Sequence, residues 1–153
     1  MAASTTRSAG HDLGLLIARI ALGVIFAAHG YQKVFGMGVG NVTGMFSGLG
    51  IPLAEVVGPF VAFLELIGGV LLALGAFTRI VGLLLAIDML VAALLVHASA
   101  GIFIDQGGWE LVGALGAGAL ALAAAGAGRF SADAVVLGRG GGSRSRAAST
   151  SDS

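Results

Sequence analysis

EVVGPFVAFLELIGGVLLALGA, residues 55–76, decides the class of this chain. After Glu55 at its start, the one charge it contains is Glu65. At the helical rise of 1.5 Å per residue, a run of this length spans roughly 30 Å, the hydrocarbon thickness of a bilayer. Three further apolar runs accompany it, at residues 13–30, 80–100 and 109–128. None shows the polar alternation of a half-buried strand, and backbone groups in lipid must pair within their own segment. The expected fold is therefore all-α, an integral membrane four-helix bundle.

Composition agrees. Hydrophobic residues make up 57% of the 153 residues and charged residues 10%, with a mean hydropathy of +0.99. A soluble domain carries about 25% charged residues on its wetted surface. Formal net charge is zero, so nothing draws the chain to nucleic acid. It has no cysteine, which excludes disulfides, thiol catalysis and Cys-ligated iron–sulfur or zinc centres within the chain. The first apolar run is expected to be a retained helix rather than a cleaved signal, because Arg19 interrupts it, no A-x-A site follows and three more long apolar runs come later.

The runs divide the chain into residues 1–12, a short polar N-terminus expected to be disordered; residues 13–130, the transmembrane domain; and residues 131–153, a Gly/Ser/Arg-rich tail expected to be flexible. In the linker 34–52, Val42, Met45, Phe46 and Leu49 fall at helical spacing. With Asn41 as N-cap and Gly48, Gly50 and Pro52 as stops, they predict a short interfacial helix in the first external loop. In the fourth run, Gly113 with Ala117 and Ala114 with Gly118 give the small-xxx-small spacing that lets helices approach closely. Four crossings put Arg7, Arg79, Arg129, Arg139, Arg144 and Arg146 on one side and Lys33 on the other. The positive-inside rule then expects a multi-pass protein of the bacterial plasma membrane with both termini cytoplasmic.

Ionisable residues inside a membrane are costly and mark candidate sites. Arg19, Glu65 and Asp88 lie within the runs, with His29 and His97 near their outer ends. Glu65 shares a stripe with Gly58, Ala62, Gly69 and Ala76, so it is expected to face the bundle interior. An intramembrane ion pair of Arg19 with Asp88 or Glu65 is expected. Asp88 and His97, nine residues apart, fall half a turn out of phase in a straight helix, so one of them should face a neighbour or a second copy. The expected pocket lies in the outer half, among Glu65, His29 and His97, roofed by the short helix and Trp109, itself an interface anchor.

Arg19-x3-Gly23-x2-Phe26-x2-His29-Gly30-x2-Lys33, Glu65-x2-Gly68-Gly69-x2-Leu72-x2-Gly75 followed by Thr78-Arg79, then Asp88, His97 and Gly107-Gly108-Trp109-Glu110, resemble the DoxX family of bacterial membrane proteins. Its members include the membrane subunit of a thiosulfate:quinone oxidoreductase and proteins associated with oxidative-stress complexes. The resemblance implies a redox-associated subunit that docks a quinone or a soluble oxidoreductase partner, in which His29, Glu65 and His97 exchange protons with the quinone. The rival readings are a small-solute or proton transporter using Arg19, Glu65 and Asp88, and a non-catalytic anchor or assembly protein. Expected partners are the lipid bilayer, a soluble redox protein and further copies of the chain. Quinone is the cofactor this reading brings in. Haem clamped between the two histidines is not expected, because His29 sits at the membrane edge and His97 is out of phase with Asp88. No metal site is expected.

Overall fold

The computed structural model describes residues 9–141, which are helical throughout the long segments, with no strand among the described residues. Helix α1 spans Ala9–Tyr31 and runs on into a widened π-helical stretch, Gln32–Gly38. Gly38, at φ 83, turns the chain into α2, Val39–Gly48. Then come α3, Ala54–Leu74, and α4, Thr78–Ala92, which continues as a π-helical stretch Ala93–His97 and a 3-10 turn Ala98–Ala100. Helix α5 is Glu110–Ala125, and α6 is Ala132–Gly141.

Three helical stretches are long and apolar enough to cross a membrane: Ala9–Gly48, Ala54–Leu74 and Thr78–Ala100. The fourth is shorter than its sequence suggested. Gly126, at φ 82, ends α5 before residue 128, and its 16 residues span about 24 Å. Large apolar side chains cover the outside: Ile17, Val24, Ile67, Leu74, Ile80, Leu90, Leu94 and Leu120 are all about half exposed or more. In water such a surface would aggregate; in lipid it is the appropriate solvent face.

Glycine sets how close the helices come. A Cβ on Gly69 would collide with the backbone of Gly23 and Ala27, and one on Gly30 with the backbone of Leu66, so α1 and α3 touch nearly backbone to backbone. Gly82 lets α4 approach Ala119 and Ala123 of α5 in the same way. These two pairings are the most extensive in the bundle, and α3 on α4 and α1 on α5 close it. The core between them is Phe26, Leu72, Val81, Leu85, Met89, Leu115, Ala119 and Leu122. A second, smaller cluster seats α2 on the start of α3 through Val42, Phe46 and Ala54, with Gly58 making room for Thr43.

Two local expectations change. The short helix forms, but it begins at Val39, and Asn41 lies inside it, donating from Nδ2 to the Met37 carbonyl at 2.7 Å instead of capping. The tail is ordered at its start. Ser131 Oγ accepts from the Ala134 amide at 3.1 Å and caps α6, so residues 132–141 form a helix where a flexible tail was expected. The disorder expected of residues 1–8 and 142–153 lies outside the described residues.

Candidate functional site

Buried polar groups gather at two ends of the bundle. At the end bearing α6, Arg19 is 1% exposed, yet it pairs with neither Asp88 nor Glu65. Its Nη1 donates to the Ala127 carbonyl and its Nη2 to the Phe130 carbonyl, each at 2.7 Å. The planar guanidinium fork fits two carbonyls of a non-helical turn as well as it fits a carboxylate. Both carbonyls lie in the turn between α5 and α6, past the last helical residue Ala125, where no helix supplies them a donor. Asp12, also buried, accepts from the Arg129 amide and lies 3.5 Å from its guanidinium Nε. Asp133 accepts from the amides of Phe77 and Thr78 at 2.7 and 3.0 Å, and so caps α4 from across the molecule.

At the other end, α1, α2, α3, α4 and α5 enclose a cavity of about 270 Å³. Lys33 forms an ion pair with Glu65, whose side chain is 4% exposed against 20% for the lysine. Lys33 stands on the π-helical continuation of α1, and Glu65 at the middle of α3. Asp88, 9% exposed, lies against Glu65, and its Oδ2 is buried with no hydrogen-bond partner. The remaining wall is apolar, with Phe26, Phe46, Val61, Met89 and Leu115 among its residues.

Both histidines line this cavity. His29 Nδ1 lies 2.9 Å from the Ile25 carbonyl oxygen, and His97 Nδ1 lies 2.6 Å from that of Gly107. A carbonyl oxygen only accepts, so Nδ1 carries the proton in both rings, and in the neutral ring Nε2 holds the lone pair. The position of His97 corrects the expectation from phase. Residues 93–97 are π-helical, and each advances less than the α-helical 100°, so together they swing His97 back by roughly a quarter turn. Asp88 and His97 therefore line one cavity, and neither needs a second copy to face.

Helix α2 contributes Met45 and Phe46 to the wall, as the expected roof should. Trp109 does not belong to it. The indole, 42% exposed, lies in an outer groove between α4 and α5 with Leu83, Ile87 and Leu90. Gly113 sits under the indole ring, so part of the small-residue spacing of α5 accommodates an aromatic side chain rather than a helix. The cavity takes Gly108 instead, which is buried where a Cβ would strike the backbone of Ile102. Lys33 is the cavity residue that the sequence reading passed over. Its signal was the Arg19, Gly23, Phe26, Gly30 stripe, which ends on it.

Comparison with known proteins gives the cavity its family. The chain is 38% identical over 89 residues to the "Putative oxidoreductase CatD" of Bacillus subtilis (strain 168), a match that covers 58% of this chain and 63% of that protein. No solved structure matches it. The DoxX family model matches residues 14–98, which include His29, Lys33, Glu65, Asp88 and His97. More than half of the chain is matched, and the chain belongs to the DoxX family.

Proposed function

We propose that the protein is the membrane subunit of a quinone-linked oxidoreductase, and that the cavity under α2 receives the quinone ring. The observation that carries this reading is the convergence of an apolar cavity with Lys33–Glu65, Asp88 and two histidines whose Nδ1 atoms are held by backbone carbonyls. Quinone redox chemistry moves protons together with electrons, and imidazole and carboxylate side chains are suited to hold and pass them. Quinones dissolve in the bilayer, so a cavity within the bundle is reached from lipid. The chain has no cysteine to bind an iron–sulfur cluster, and in this reading a soluble partner protein supplies or removes the electrons. The printed name of the B. subtilis relative, an oxidoreductase, supports the reading. The arginines near the α6 end favour an orientation in the bacterial plasma membrane with that end cytoplasmic and the cavity in the outer half.

The test is equilibrium binding of a short-chain ubiquinone analogue, in either redox form, to detergent-purified protein. Glu65→Gln and His29→Ala should each weaken binding by about tenfold, the loss of roughly 1.4 kcal/mol. Absence of binding by the parent protein in both redox forms sinks the proposal and leaves transport or anchoring. Reporter fusions at Gly40 and at the C-terminus test orientation and should report opposite sides.

A further inference from the structure

The hydrogen-bonding inventory of the cavity is lopsided. His29 and His97 each spend their Nδ1 proton on a backbone carbonyl, so each neutral ring offers an Nε2 lone pair. Asp88 Oδ2 is buried and unpartnered as well, but it lies against the Glu65 carboxylate and can carry a proton, so the count rests on the two imidazoles. The charged donor among these side chains is the Lys33 ammonium, which meets Glu65. An imidazole nitrogen facing an apolar wall without a donor is an incomplete contact. A ligand completes the set by donating.

Resting on the quinone reading above, we infer that the cavity is built for the reduced ligand: a ring with two hydroxyl groups, which donate to Nε2 of His29 and of His97. A quinone carbonyl can only accept, and would set its lone pairs against those of the two imidazoles. A hydroxyl donates to the imidazole and still keeps an acceptor lone pair for Lys33. The tautomer is fixed by the backbone, through an α-helical carbonyl one turn back for His29 and through the loop before α5 for His97. Neither ring can offer its Nε2 proton to a quinone without taking up a second proton. The selectivity is therefore for hydrogen-bond donors and holds for neutral histidines.

Three ligands of one shape separate this from the broader reading: trimethylhydroquinone, trimethylbenzoquinone and the dimethyl ether of trimethylhydroquinone. The ether keeps the ring and removes both donors. Binding is measured anaerobically by titration calorimetry on the full chain in detergent. The hydroquinone should bind at least about tenfold more tightly than either of the others, as two matched hydrogen bonds predict. His29→Phe and His97→Phe keep a ring in place and remove the acceptor. Each should cut the ratio of hydroquinone to quinone affinity by about threefold or more. Equal affinity for all three ligands overturns the inference and leaves the quinone cavity standing. A preference kept in both variants overturns the assignment to the histidines. Failure of all three ligands to bind overturns the inference and the quinone reading together. The ether comparison needs no variant, so the test survives a substitution that fails to fold.

Discussion

The two ends of the bundle both bury charge, and they treat it differently. Around Arg19, charge is consumed by backbone: the guanidinium holds the carbonyls of Ala127 and Phe130, Asp12 accepts the Arg129 amide, and Asp133 accepts two amides at the start of α4. These groups tie chain ends together. Around Lys33, the charged groups meet one another beside empty space, and Asp88 Oδ2 and the two Nε2 atoms are left over. A buried charge is thus no sign of a site in itself. Each end leaves buried atoms without a partner, Arg19 Nε and Thr78 Oγ1 at one and Asp88 Oδ2 at the other. What separates the ends is what the charge meets: backbone of a turn at the first, other side chains around a cavity at the second.

The difference is broken most severely at Lys33. Lys33→Met leaves the Glu65 carboxylate buried without its partner, and should cost about 3–5 kcal/mol in reversible unfolding in mixed micelles. Lys33→Met with Glu65→Gln should recover most of that loss, and a cycle showing no coupling would mean that the pair is not formed. Arg19→Ala comes next, at about 2–3 kcal/mol for charge-assisted hydrogen bonds lost to two carbonyls. Combined with Asp88→Asn or Glu65→Gln it should be additive within about 0.5 kcal/mol, because the two ends share no partner. A strong rescue would restore the ion pair that the sequence suggested. Asp133→Ala removes a cap and should cost about 1 kcal/mol with ligand affinity unchanged. The smallest effect sharpens the outline of the cavity. Trp109→Ala should leave the affinity for a quinone analogue within about twofold, and a larger loss would mean that the indole reaches the ligand after all.

Much of this fold was legible. Continuous apolar runs with single interior charges announced the spans, and the stripe of Gly58, Ala62 and Gly69 correctly turned Glu65 inward. What was hidden shares a physical cause. Periodicity assumes one helical pitch, and the π-helical stretches at 32–38 and 93–97 change it where Lys33 and His97 must be aimed. The partners of Arg19 were hidden too, because backbone carbonyls have no letter in a sequence, and a rule that pairs charge with charge looks for a carboxylate. Helix α6 begins on a serine cap inside a stretch whose glycine and arginine content reads as flexible. Trp109 was placed one residue away from Gly108, the residue that lines the cavity.

The loop before α5 is irregular, yet its backbone is almost self-contained. Gln106 and Gly108 amides donate to Phe103, Gly107 to Ile104, Trp109 to Gly101 and Glu110 to Ile102, while the Ile104 amide donates to the Glu110 carboxylate. Ile102, Phe103 and Ile104 turn their apolar side chains outward. A loop so satisfied has little need of water, and it can sink into the hydrocarbon edge and make up the length that α5 lacks against a bilayer about 30 Å thick. Its bonded amides, at 104 and 106–110, should exchange with deuterated solvent as slowly as those of a helix.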